Sequence, residues 1–130
     1  MRVLLCCLLL VIAGCKTYPS GEKPPDLVYK TSAFEDTVRW GDLEKMVLFL
    51  EPGEAKTAVA EPGLDNVRVT GYELAGTLTK ISDTRWMQTA VIHYVLTDWQ
   101  VVRRLVDEQV WLSDDEGKTW YRTTPPPVFR

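Results

Sequence analysis

The stretch WLSDDEGKTWYR, residues 111–122, gathers Ser113, Asp115, Gly117, Thr119 and Trp120 in the spacing S-x-D-x-G-x-T-W. A carboxylate in such a loop can serve as an acid, a base or a ligand, or it can simply accept hydrogen bonds from loop amides. The sole histidine, His93, sits between Ile92 and Tyr94 in an apolar run. It could act as a general base or as a titrating interface switch. A lone histidine does not make a metal site, which needs more ligands. A Ser-His-Asp set has only His93 to draw on, and the chain has no G-x-S-x-G elbow. An isomerase-like site would need a donor, for which Tyr72 and Tyr94 are available, and a carboxylate facing a dry pocket. The run Trp86–Leu96 contains no acid. Glu35 and Asp36 read as helix-cap and surface charges, and Asp107-Glu108 as part of a solvated face with Arg103-Arg104. No catalytic, cofactor-binding or metal-ligating residue is assigned, and no cofactor is expected.

The 113–120 spacing resembles the Asp-box, a hairpin motif repeated in sialidases. Those enzymes are propellers of several four-stranded blades, with the box recurring between them. Here it occurs once, and that family's arginine triad and tyrosine nucleophile have no counterparts. The motif is therefore expected to be a tight hairpin. Asp115 would accept loop amides, and Gly117 would supply a positive φ. Ser113 would face Thr119, with Trp120 packed over the loop.

The front of the chain, MRVLLCCLLLVIAGCK, has Arg2, then ten apolar residues from Val3 to Ile12, then Ala13 and Gly14. This reads as a secretory signal, too short for a spanning helix of ~20 residues. Ile12-Ala13-Gly14-Cys15 resembles the lipobox of bacterial lipoproteins. The resemblance implies diacylglyceryl transfer to the Cys15 thiol, cleavage between Gly14 and Cys15, and acylation of the new amine. Three acyl chains would hold the protein on a membrane. Lys16 is not the aspartate that marks inner-membrane retention in that family, so the resemblance favours the periplasmic face of the outer membrane. Cys6 and Cys7 would leave with residues 1–14, so the mature chain would carry neither a free thiol nor a disulfide.

Removing 14 of the 130 residues leaves 116, enough for one domain with a real core. Without Arg2, 14 basic residues remain against 18 acidic ones, a net charge of −4. That balance argues against nucleic acid as a partner, which needs a concentrated basic face.

Residues 15–31 follow as the lipidated cysteine and a tether, of which KTYPSGEKPP is the Pro- and Gly-rich part. At ~3.3 Å per residue its ten residues reach ~30 Å, so a domain at 32–130 would sit close to the membrane. Ser32-x-x-Glu35 is a capping box that predicts a helix start at 32, ending near Gly41. Asp42 could cap a second helix whose stripe is Leu43, Met46, Val47 and Leu50, and residues 54–60 could form a third. From Val67 onward the chain turns to strands. Gly71 marks a bulge and Gly76 a bend, and turns fall at 82–84 and 97–99. Arg85–Leu96 is the clearest strand, with Trp86, Ala90, Ile92, Tyr94 and Leu96 on one side. Val101–Leu112 fits either a strand or a helix, its four valines favouring the strand. A last strand is expected at 119–123 before Pro125-Pro126-Pro127 ends any ladder. Of the five tryptophans, at least three are expected to be core.

Helices first and antiparallel strands after is an α+β plan. This order, AFEDTVRWGDLEKMVLFLEP and the closing QVWLSDDEGKTWYRTTPPPVF resemble the nuclear transport factor 2-like superfamily, which includes ketosteroid isomerase. The resemblance implies a curved sheet wrapped on helices, a pocket at the wide end, and homodimers formed through the sheet. Members include enzymes, ligand binders and interaction modules, so fold alone does not give function. Two readings follow: a lipid-anchored, non-enzymatic binding or envelope-assembly module, or a small-ligand carrier or isomerase-like enzyme using the roll's pocket.

Overall fold

The computed structural model describes residues 21–130. Gly14 and Cys15, and with them the signal and lipidation assignments, lie outside the described residues.

The first helix, α1 (Pro25–Arg39), starts seven residues before the expected capping box. Pro25 occupies the first turn, where a missing N–H costs nothing, and Asp26 meets the positive end of the helix dipole. From there Leu27, Thr31, Phe34 and Val38 form one buried stripe. Ser32 is therefore an exposed mid-helix residue, and residues 25–31, expected in the tether, are helical. The far end is as expected. Gly41 has φ +79°, its N–H bonds Val38 O, and Asp42 N–H bonds Thr37 O. These two bonds are the Schellman closure, which needs a left-handed residue at Gly41.

Leu43–Phe49 is a 3-10 helix rather than an α-helix. With three residues per turn, Leu43, Met46 and Phe49 stack on one side. Leu43 and Met46 are buried, and Phe49 makes edge contacts with Phe34 (5.2 Å) and Trp111 (6.4 Å). The stripe expected through Val47 and Leu50 is replaced by one through Phe49. The third helix, expected at 54–60, is the short α2 (Pro52–Thr57), with Pro52 in its first turn.

Five strands follow: β1 (Val67–Leu74), β2 (Thr79–Ser82), β3 (Arg85–Leu96), β4 (Val101–Leu112) and β5 (Tyr121–Arg122). They form one antiparallel sheet in the order β1-β3-β4-β5, with β2 beside β1 on the same flank of β3. The fold class is therefore α+β, with N-terminal helices against an open antiparallel sheet. Val101–Leu112 is a strand, paired with β3 over its whole length from Leu96↔Val101 to Arg85↔Leu112. The bulge expected at Gly71 is present as a register shift between Val69 and Gly71. Gly76 takes φ +101° in the β1–β2 connection. The last strand is shorter than expected, two residues at 121–122.

The inner face of β3 sends Trp86, Gln88, Ala90, Ile92 and Tyr94 toward the helices, all buried. Three tryptophans are core (Trp86, Trp111, Trp120), while Trp40 and Trp99 are exposed. Phe34, wholly buried, joins α1 to the 3-10 helix and to β4 through edge contacts with Phe49 and Trp111 respectively. Phe34→Ala removes that junction and should lower unfolding free energy by ~3–5 kcal/mol, read as a fall in the urea midpoint at constant m-value.

Candidate functional site

Alternation along β4 puts Leu105, Asp107, Gln109 and Trp111 on the inner face, and Val102, Arg104, Val106, Glu108 and Val110 on the outer. Asp107 is therefore not in a solvated cluster with Arg103 and Arg104. It is 3% exposed and ion-paired with Arg122, itself 1% exposed. The pair is bidentate: Nη1 donates to Oδ2 at 2.9 Å and Nη2 to Oδ1 at 2.5 Å. Arg122 also donates from Nε to Thr124 O (2.9 Å) and from Nη2 to Pro125 O (2.7 Å), and its guanidinium lies 4.9 Å from the centre of the Phe34 ring.

Gln109 extends the string. Its Nε2 donates to Asp107 Oδ2 (2.9 Å) and Tyr72 Oη (2.7 Å), and its Oε1 accepts from Trp111 Nε1 (3.2 Å). Arg39 closes the Tyr72 end, donating to the Tyr72 carbonyl at 2.6 Å with its guanidinium 5.7 Å from the ring centre. Burial pushes the Tyr72 phenol up to about 12, against the Gln109 hydrogen bond, which favours the phenolate. A phenol and a carboxylate thus share one amide donor, Gln109 Nε2, on the inner face, where residue order alone offers no carboxylate beside Tyr72. The available signal was parity: once β4 is a strand, Asp107 shares a face with Leu105 and Trp111. Both carboxylate oxygens are taken by donors, and the side chains of the string are almost completely buried.

The 113–120 loop behaves as the spacing predicts. Asp115 Oδ1 accepts from Thr119 N (2.7 Å) and Ser113 Oγ (2.9 Å), and Ser113 Oγ accepts from Gly117 N (2.9 Å). Gly117 has φ +83°, and Trp120 Nε1 donates to Gly117 O at 3.1 Å. Ser113 and Thr119 meet through Asp115 rather than directly. These donors hold the Asp115 carboxyl down at about 2. The motif is spent on its own hairpin.

His93 lies on the outer face, half-exposed, with Nε2 3.9 Å from Glu73 Oε1. Around it the β3–β4 pairing makes alternating rungs: Met87/Val110, Val91/Val106 and Val95/Val102 are apolar, while Thr89/Glu108 and His93/Arg104 are polar. Val102 is 75% and Val106 56% exposed. Val102 and Val106 therefore leave apolar surface exposed on this face. Among the described residues no group of three His, Cys, Asp or Glu side chains is placed to hold a metal ion, and no helix is long and apolar enough to cross a membrane.

Comparison with protein-family models, characterised proteins and solved structures finds no match.

Two outcomes test the buried string. Asp107→Leu strands a buried guanidinium and should cost ~3–5 kcal/mol, whereas Asp107→Leu with Arg122→Met should recover most of that loss; a double-mutant cycle in urea reads both. Tyr72 adds an alkaline limb. Its folded pKa exceeds the unfolded 10.0, so its contribution is complete below pH 10. Between pH 10 and 12 only the unfolded state ionises, and stability should fall by ~2–3 kcal/mol. In Tyr72→Phe that part of the alkaline fall should be missing.

Proposed function

We propose that the protein is a lipoprotein, held by acylated Cys15 at the periplasmic face of the outer membrane, and that it acts there as a non-enzymatic binding or envelope-assembly module. The observation that carries this reading is the asymmetry of the sheet. Its inner face is filled by tryptophans and the bonded string from Tyr72 to Arg122, while among the described residues nothing covers the rungs Val91/Val106 and Val95/Val102 on its outer face. Apolar rungs framed by His93, Arg104 and Glu108 suit another folded surface, supplied by an envelope protein or by a second copy of this chain. The nuclear transport factor 2-like resemblance is part of the same proposal, supported by the order of helices and strands.

The alternative, a ligand carrier or isomerase-like enzyme, draws support from the Tyr72 phenol and the Asp107 carboxylate, joined through Gln109. It requires that string to open to a substrate, against the Arg122 and Gln109 donors that close it.

A photo-crosslinking residue at Val106 should give a discrete larger adduct in intact envelopes, and one at Glu54 on α2 should not. Absence of an adduct from both Val106 and Val102 would remove the docking surface. Separately, radioactive palmitate should label the wild type and not Cys15→Ala. Label persisting in that variant would refute the anchor.

A further inference from the structure

A cleft of about 220 Å³ lies apart from both the buried string and the outer sheet face. One wall is α1, which presents Val28, Thr31, Ser32 and Glu35 at helical spacing. The opposite wall is the end of β1 and the β1–β2 connection, where Leu74 and Leu78 are held in place by the turn at Gly76.

Gln88 of β3 also lines the cleft, and it is only 5% exposed. Gln109, the other buried glutamine on this face, has both its amide nitrogen and its amide oxygen bonded. The Gln88 amide has no hydrogen-bond partner among the described residues, yet it is not among the side chains sealed from solvent without one. Gln88 is thus placed where its amide can meet a guest in the cleft. A nearly buried amide with neither its donors nor its acceptor matched is costly to a fold. A guest that presents an amide in return would match it.

The rest of the lining specifies that guest. The acidic group, Glu35, is already bonded by Arg39 Nε at 2.7 Å, so it does not call for an ammonium. Lys23 supplies a positive charge, which matches a carboxylate. Val28, Leu74 and Leu78 suit a branched apolar side chain. The volume falls below the ~300–1,000 Å³ of sites for drug-sized ligands, so the guest is small.

We infer that this cleft binds a small amide-bearing carboxylate of dipeptide size. The amide meets Gln88, the carboxylate meets Lys23, and an apolar side chain lies against the leucines. A short peptide's C-terminal end and an N-acyl amino acid share this chemistry. The inference is independent of the sheet-face reading.

The test is titration calorimetry on the full-length protein in detergent, with N-acetylvaline, N-acetylvalinamide and the dipeptide Ala-Val as probes. N-acetylvaline should bind saturably, and the uncharged amide about tenfold more weakly; Lys23→Ala should abolish that preference. Gln88→Leu should weaken binding by about tenfold or more without lowering the melting temperature. Val28→Trp, at an exposed position, should fill the cleft and block binding while leaving crosslinking from Val106 intact. Ala-Val binding as well as N-acetylvaline identifies the peptide end as the guest, and binding of N-acetylvaline alone identifies the N-acyl amino acid. Failure of N-acetylvaline to bind at about 10 mM, or equal binding by Gln88→Leu, overturns the proposal.

Discussion

Arg122 and Asp107 meet in the interior through two parallel hydrogen bonds, and much of the molecule is arranged around keeping that pair satisfied. A charge buried to this degree is tolerated only when its hydrogen-bonding capacity is met. Gln109 bonds the carboxylate from along its own strand, and the carbonyls of Thr124 and Pro125 bond the guanidinium. The last strand is only two residues long, so the ladder alone attaches it weakly. The ion pair, the Phe34 ring beneath the guanidinium and the parallel bridge between Leu50 and Arg122 complete the attachment. The chain end then folds back across the inner face, where Phe129 meets Tyr94 edge-on at 5.0 Å and Tyr94 Oη donates to Arg130 O.

This attachment sets the character of the two sheet faces. The inner face carries polar groups in a bonded string among tryptophans, which is stiff and closed. Among the described residues no element packs over the Val91/Val106 and Val95/Val102 rungs, and Val102 and Val106 are exposed. The binding role proposed above would rest on that outer face. A stiff interior would favour such a role, because a preorganised face loses less freedom when it is covered.

Much of the scaffold was legible from residue types. The alternation in Arg85–Leu96 identifies its buried side, Gly41 closes α1 with a Schellman motif, and the 113–120 spacing encodes its own hairpin. These features depend on contacts a few residues apart or on a two-residue period, so the chain displays them directly. The start of α1 was misplaced because Ser32-x-x-Glu35 has the form of a cap, while Pro25 and the stripe from Leu27 to Val38 carry the helix through it. The Leu43–Phe49 segment was read with 3.6 residues per turn, whereas its tighter winding lines up Phe49 instead of Val47. Asp107 was read as a surface charge because Arg103 and Arg104 are its near neighbours in sequence. In a strand those neighbours do not all share its side.

The residue order by itself determined the α+β plan, the turns, the long β3 strand and the closed loop around Asp115. Each follows from local conformational preference or from a short repeat. Only the tertiary structure decided that Val101–Leu112 is a strand, that Asp107 faces inward to Arg122, that Gln109 joins them to Tyr72, and that Gln88, without a partner among the described residues, lies beside a cleft. These outcomes depend on which distant segments share a face, such as Tyr72 with Gln109, 37 residues apart. A polar residue's role is set by the partner it meets after the chain has folded. Its own identity leaves burial with a partner and exposure to water equally open.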